Sequence, residues 1–365
     1  MIPEARVREL HVSAYTVPTD APESDGTLEW SATTLVVVEA IAGNATGLGY
    51  TYADTSTALF AREHLAPVVR GLDPMNVPCA WKAMVRSIRN LGRPGVASMA
   101  IAAMDVALWD LKARLLGLPL VTLLGGARDS VPIYGSGGFT SYTDERLCEQ
   151  LARWAGDGIP RVKMKIGRDA AADRRRVARA REAVGTDVAL FVDANGAYCR
   201  KEALAQAEAF AASRVTWFEE PVSSDDLEGL RLLRDRAPAG MDIAAGEYGY
   251  ELPYFRRMLE AGAVDVLQAD ATRCAGITGF LQTAALCDAR GVALSAHCAP
   301  ALHVHLGCAA PAVRHLEYFH DHARIETMLL DGAVLPRGGA LTPDLSGSGH
   351  GLVLKRADAA KFSVF

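Results

Sequence analysis

Paired cysteines, long apolar runs and a surplus of one charge are all missing from this 365-residue chain. Its seven cysteines, Cys79, Cys148, Cys199, Cys274, Cys287, Cys298 and Cys308, are odd in number and never spaced as CxxC. That argues against a disulfide framework or a thiolate zinc site, and the expectation is that most are small buried hydrophobes in a reducing cytosol. No stretch approaches the roughly 18 apolar residues of a membrane span, and Met1 to Pro18 has no apolar core of signal-peptide length. A net charge of −5 leaves no nucleic-acid footprint. The densest basic cluster, Arg174-Arg175-Arg176 with Arg179 and Arg181, reads as the solvated face of a helix. No GxGxxG follows a strand and there is no P-loop, so nucleotide-binding readings are weak. A cytoplasmic protein with no nucleic-acid and no membrane partner is expected.

What is present is a chain half hydrophobic and long enough for a barrel of about 250 residues plus a smaller domain. Up to about residue 125 the pattern is strands at Val7–Tyr15 and Thr33–Ala42, then helices at Thr55–Arg70 and Val96–Leu116, which suggests a small α+β unit. The polar stretch Thr16–Trp30 between the strands reads as a long loop, a lid or disordered. From Val131 strand and helix alternate. The strand candidates are Val131–Gly135, Arg161–Lys165, Val188–Asp193, Val215–Glu219, Met241–Gly246, Val264–Gln268, Val292–Ala296 and Val313–Glu317. Eight strands with helices between them favour a closed barrel over an open sheet. Residues 341–365 are read as a C-terminal segment that returns to the first unit.

Asp193, Glu219 and Glu247 each close a short apolar run, at intervals of 26 and 28 residues. One such interval is about a strand, a helix and two loops, so a barrel would gather the three at one rim. Converging carboxylates repel unless a cation lies among them, and an all-oxygen set suits a hard divalent ion, Mg²⁺. In Lys163-Met164-Lys165 alternation puts both lysines on one side of the second barrel strand. Two readings stand. Mutual repulsion and burial make one of them a neutral base, or either lysine forms a structural salt bridge to Asp193. Asp270 and His297 end adjacent strands at matched positions, and an Asp there would fix the tautomer of the His and raise its pKa. Glu317 ends the eighth strand beside them. Lysine and histidine then face each other across the mouth with the carboxylates between, a base on each side of a bound carboxylate's α-carbon.

In order, Lys-x-Lys, Asp-x-Asn, Trp-Phe-Glu-Glu-Pro, Gly-Glu, Asp, Ser-Ala-His and Leu-Glu resemble the mandelate racemase subgroup of the enolase superfamily over nearly the whole chain. The resemblance implies an α/β fold: a (β/α)7β TIM-like barrel at residues 126–340 under an N-terminal α+β capping domain at 1–125. It also implies a homo-oligomer and a small-molecule carboxylate substrate. It makes Asp193, Glu219 (rather than its neighbour Glu220) and Glu247 the Mg²⁺ ligands. Lys165 becomes one base with Lys163 its modulator, and His297 with Asp270 the second acid/base pair. Glu317 would hydrogen-bond the substrate carboxylate, Asn195 would touch a substrate hydroxyl, and Ser136 is a further substrate contact. Thr16–Trp30 and Gly47–Tyr52 would be the loops that read the far end of the substrate. Asp20, Glu23, Ser24, Asp25, Thr27 and Trp30 offer polar contacts there, with little apolar cover. His320 and His322 line the pocket or lie on the surface, and His303 and His305 are structural. The expected reaction is dehydration of an aldonate or aldarate through an enediolate to a 2-keto-3-deoxy acid. The alternative is a racemase or epimerase using the same two bases. A silent binding barrel predicts decayed acidic or basic positions, and none is missing; a metal hydrolase predicts several histidine ligands.

Overall fold

The computed structural model describes residues 5–365. Three antiparallel strands, β1 (Glu9–Ser24), β2 (Glu29–Ala42) and β3 (Ala45–Tyr52), open the chain in the order β1-β2-β3. Helical turns follow, α1 (Thr55–Phe60) and α2 (Ala66–Val69) joined through a π-turn at Ala61–Leu65, then α3 (Val77–Ser87), α4 (Val96–Leu116) and α5 (Leu120–Leu124). Helix α4 is buried nearly all round, because β3 crosses one side of it and a barrel helix the other. Contact with β3 needs glycine: a Cβ on Gly49 would stand 2.1 Å from the Ala103 carbonyl oxygen.

The expected loop at Thr16–Trp30 is instead the far half of a hairpin. β1 pairs with β2 out to Glu23↔Trp30 and Ser24↔Glu29, with a register shift between Pro18 and Glu23. Pro18 and Pro22 are tolerated because β1 is the edge of its sheet, where a missing N–H breaks no ladder. Gly47–Tyr52, also expected as a loop, is most of β3. The helix α3 has no counterpart among the expected elements.

Eight parallel strands then close a barrel: β4 (Val131–Gly137), β5 (Arg161–Lys165), β6 (Ala189–Asp193), β7 (Val215–Glu219), β8 (Asp242–Ala245), β9 (Val266–Ala269), β10 (Ala293–Ala296) and β11 (Val313–Phe319), with β11 pairing back to β4. Seven helices lie between them, α6 (Asp144–Gly156), α7 (Ala170–Val184), α8 (Arg200–Phe210), α9 (Leu227–Arg236), α10 (Leu252–Glu260), α11 (Gly276–Arg290) and α12 (Pro300–Ala309), and α13 (His320–Leu329) follows β11. Tyr134, Phe191, Trp217, Ala244 and Val266 fill the barrel interior, so the barrel is a packed core closed below its mouth. The cluster on α7 is only partly solvated. Arg174, Arg175 and Arg179 are exposed, but Arg176 is buried and donates to the Lys165 and Phe139 carbonyls at 3.3 and 2.9 Å.

The cap sits on the mouth through side chains from both sides. Trp81 Nε1 donates to the Ala275 carbonyl at 2.8 Å, Thr51 Oγ1 to the Thr272 carbonyl at 2.7 Å, and Tyr50 to Glu326 on α13 at 2.7 Å. At the chain's end, Val364 N donates to the Ala14 carbonyl on β1 at 2.9 Å, and Arg356 pairs with Glu39 on β2 at 2.6 Å. Among the described residues no helix is long and apolar enough to cross a membrane.

Candidate active site

The register of neighbouring strands decides which side chains meet. Lys165 on β5 pairs with Asp193 on β6, which pairs with Glu219 on β7, so the three ends are level. Glu247 follows β8 by two residues, after Gly246 at φ +138°. A side chain at Gly246 would run into the Gln268 carbonyl oxygen at 2.1 Å, so only glycine lets the chain turn here and aim Glu247 inward. One carboxylate oxygen from each of Asp193, Glu219 and Glu247 lies within 4.8 Å of the others, and all three residues are buried. This buried, all-oxygen donor set fits a hard divalent cation. Burial and the Asp193 charge push the Glu219 carboxyl up to about 8 against the pull of Lys163, an excess of negative charge that a cation would offset.

The two lysines take different partners. Lys163 Nζ holds both Glu219 oxygens at 2.7 Å, Glu317 Oε1 at 2.8 Å and Asp193 Oδ2 at 3.5 Å. Lys165 Nζ donates to Asp193 and, at 3.1 Å, to Asn195 Oδ1. The salt bridge to Asp193 therefore exists for both. The expectation of a lysine made neutral by its neighbour is not met in this state. Burial pushes Lys165 down, but Asp193, Glu247 and Glu219 together outweigh burial and Lys163 and hold the ammonium well above its usual range. The carboxylates carry more charge toward it than the second lysine does.

Across the mouth His297 Nδ1 donates to Asp270 Oδ2 at 2.9 Å. Asp270 is fixed in turn by Thr272, through its N–H and its hydroxyl, both at 2.7 Å. The imidazole Nε2 is left facing Glu247 Oε2 at 3.1 Å, Cys298 Sγ at 3.3 Å and Glu317 Oε2 at 3.6 Å. Burial pushes His297 down, but Cys298, Glu247, Glu317 and the hydrogen bond to Asp270 together outweigh it and hold the ring well above its usual range. Burial likewise pushes Glu247 up, and His297 and Arg273 hold it well below the carboxylate range.

Lys165, Asn195, Glu247, His297 and Glu317 line one cavity of about 420 Å³, within the usual range of small-ligand pockets, about 300–1,000 Å³. Lys163, Asp193, Glu219 and Asp270 stand behind its walls. Ser136 does not reach it: the side chain is buried inside the barrel on β4 and its hydroxyl has no partner. His322 lines the cavity, stacked on Tyr52 at 3.4 Å between ring centroids, whereas His320 stands outside with Asp20 at 3.0 Å. His303 is structural: its Nδ1 donates to the Cys298 carbonyl at 2.8 Å and its Nε2 accepts from Ala271 N at 2.9 Å. His305 is buried against the His350 carbonyl.

The cap side of the cavity is more apolar than expected. Leu28, Trp30 and Tyr52 cover it beside Asp25, Thr33 and Asp54, and Phe319 at the end of β11 adds a further apolar face from the barrel. Glu23 and Ser24 are buried behind the wall, Glu23 accepting from Trp30 Nε1 at 2.8 Å. Sequence reasoning missed three residues at the site. Arg273 lines the cavity and donates to the Glu247 carbonyl at 3.1 Å. Glu220 is buried beside the carboxylates with one oxygen unpartnered, and burial and Glu247 push it well above its usual range. Cys298 has its thiol on the cavity. A place directly after an assigned residue was the signal available for Glu220, after Glu219, and for Cys298, after His297; none existed for Arg273.

Residues 10–125 match the mandelate racemase / muconate lactonizing enzyme N-terminal domain, and residues 146–359 match the enolase C-terminal domain-like family. A mandelate racemase/muconate lactonizing enzyme-like protein from Rubrobacter xylanophilus superposes with a TM-score of 0.97 at 56% identity, covering 98% of this chain and 100% of that one. An L-talarate dehydratase from Polaromonas sp. JS666, solved with Mg and L-glucarate, superposes at 0.89 with 30% identity over 99% and 98% of the two chains. A 3,6-anhydro-alpha-L-galactonate cycloisomerase of Streptomyces coelicolor is 34% identical over 317 residues, 85% of this chain and 86% of its own.

Proposed function

This chain belongs to the mandelate racemase / muconate lactonizing enzyme family of the enolase superfamily, and on that premise we propose that it is a Mg²⁺-dependent hydro-lyase of acid sugars. Its substrate would be an aldonate or aldarate and its product a 2-keto-3-deoxy acid. The observation that carries the reading is the opposition of Lys165 and the His297–Asp270 pair across one cavity, with the carboxylate trio between. Asp193, Glu219 and Glu247 would hold the ion, which supplies positive charge that makes the α-proton of a bound carboxylate acidic.

The protein groups do the rest. Lys165 Nζ or His297 Nε2, whichever faces the α-hydrogen, must first give up its own proton to solvent, which it would do more readily once Asp193 and Glu247 hold the ion; the neutral group then takes the α-proton and an enediolate results. His297 in its protonated form delivers a proton to the departing β-hydroxyl, which leaves as water. Asp270, accepting from Nδ1, keeps Nε2 directed at the cavity. Glu317 would hydrogen-bond the substrate carboxylate, and Asn195, with its side chain on the cavity, a substrate hydroxyl. The polar residues of the cap wall suit further hydroxyls. Assembly as a homo-oligomer in the cytoplasm belongs to the same reading and is open to light scattering and fractionation.

A second reading is racemisation or epimerisation. It is favoured by the same opposition of two bases, since 1,1-proton transfer needs one on each face. The test is a Mg²⁺-dependent screen of mono- and diacid sugars for 2-keto-3-deoxy product, run beside Lys165→Ala and His297→Asn. Product lost in both variants supports the dehydratase. Deuterium uptake at the α-carbon with no keto acid across the panel overturns it in favour of proton exchange.

A further inference from the structure

Cys298 is the cavity residue that acid-sugar chemistry does not use. Its backbone is unusual: Cys298 and Ala299 are consecutive left-handed residues, at φ +52° and +40°, and neither is glycine. Such a pair is costly for L-residues and holds the thiol where an ordinary helix start would not. The Cys298 N–H donates to Glu317 Oε2 at 3.2 Å, and the Ala299 N–H faces His322 Nδ1 at 3.3 Å.

The thiol so placed completes a donor triangle. Cys298 Sγ stands 3.3 Å from His297 Nε2 and 3.4 Å from Glu317 Oε2, and Nε2 to Oε2 is 3.6 Å. A tetrahedral zinc ion, with bonds of about 2.3 Å to sulfur and about 2.0–2.2 Å to nitrogen and oxygen, sets its donors about 3.4–3.6 Å apart. All three residues are buried, and all three line the same cavity, which leaves a fourth position open to water or ligand. Neighbouring groups favour the arrangement. Asp270 takes the Nδ1 proton of His297 as a hydrogen bond, as a carboxylate does behind a zinc-ligating histidine, and Lys163 pairs with Oε1 of Glu317 at 2.8 Å.

We propose that His297, Cys298 and Glu317 form a second, thiophilic metal site for Zn²⁺ or a similar borderline cation, beside the carboxylate trio, whose Glu247 Oε2 lies 3.1 Å from His297 Nε2. On binding, the Cys298 thiol and the protonated His297 Nε2 each release a proton to solvent, and the sulfur and nitrogen lone pairs go to the metal. The ion then occupies the nitrogen and the carboxylate that the proposed dehydration needs, so Zn²⁺ inhibits reversibly in the presence of saturating Mg²⁺. The proposal shares His297 and Glu317 with that reading, but its binding arm needs no substrate, so the two fail separately.

The test adds Co²⁺ to the Mg²⁺-saturated protein and follows the near-ultraviolet thiolate-to-cobalt charge-transfer band. One band equivalent per chain, displaced by Zn²⁺ and lost in Cys298→Ser, is expected. With the acid sugar found by screening, Zn²⁺ inhibition should weaken at least about tenfold in Cys298→Ser, each protein scaled to its own Mg²⁺ rate. A wild-type protein that binds Co²⁺ with no thiolate band, or a band that persists in Cys298→Ser, overturns the proposal. So does equal Zn²⁺ inhibition of both proteins, which would place the ion on the carboxylate trio.

Discussion

At the scale of single residues the site is a set of buried charges that tolerate one another only in a particular arrangement. Lys163 is fully buried and serves Glu219, Glu317 and Asp193 together. Lys163→Met would leave Glu219 without its ammonium partner and take one from Glu317 and from Asp193, and removing one partner of a buried pair costs about 3–5 kcal/mol. Denaturant unfolding in a chelator should register that loss, and Mg²⁺ should restore part of it. A variant as stable as wild type in chelator would mean that the carboxylates find other partners. Asp270 acts through His297. Asp270→Asn should lower kcat by at least about a hundredfold with KM changed little, because an amide gives no counter-charge to the protonated ring that serves the departing hydroxyl. A parallel rise in KM would give Asp270 a role in binding instead. The trio, the lysine pair and the dyad were legible because each sits at or just past a strand end, where an interval of a strand and a helix foretells proximity. Arg273 and Cys298 were not, since their aim depends on loop geometry and left-handed backbone that no spacing encodes.

At the scale of elements the lesson is the β1–β2 hairpin. Its sequence alternates polar residues with two prolines, which reads as a loop until the strand is known to be an edge. The tip, Asp25 to Leu28, rests on the loops after β5 and β6. A Cβ on Gly26 would lie 2.5 Å from the Ala194 carbonyl oxygen and 2.8 Å from that of Ile166. Backbone cannot yield there as a side-chain end can. Gly26→Ala should lift the tip, withdraw Asp25, Leu28 and Trp30 from the cavity, and raise KM at least about tenfold. Thermal stability should fall by only a few degrees, because Thr27 and Leu28 are exposed and little core is lost. An unchanged KM would mean that the tip does not read the substrate. The barrel strands were legible to within about two residues because each is a short apolar run that ends in chemistry. Helix α3 was passed over.

At the scale of the whole molecule, cap and barrel are joined by carboxyl groups whose protonated form folding favours. Burial pushes Asp105 on α4 up to about 7 against its hydrogen bonds from Thr278, and Glu326 on α13 up to about 8 against those from Tyr50 and Ala301. Glu23, buried where the hairpin meets the barrel, is pushed up to about 8 by burial and by Asp321. A carboxyl whose pKa is raised by folding contributes stability that is full below its unfolded pKa and is lost as pH rises through the folded one. Buried histidines act the other way: burial lowers His305, His315 and His322 to about 3, so they cost stability as pH falls below about 6.5. Stability in saturating Mg²⁺ should therefore be flattest between about pH 4.5 and 6.5, where the two sets offset one another. Above that the histidines no longer contribute and stability should fall until about pH 8, by at most about 1.4 kcal/mol per pH unit for each proton released. None of this was legible beforehand, because Asp105 and Glu326 look like ordinary helix-face acids until the cap is docked on them. Asp105→Asn keeps a carbonyl for the Thr278 N–H and removes one titrating proton, so its stability relative to the wild type should rise with pH by up to about 1.4 kcal/mol per unit in equilibrium denaturation at pH 5, 6 and 7. A difference that does not change with pH would mean that Asp105 is already ionised at pH 5, and that Thr278 supports the charge in spite of burial.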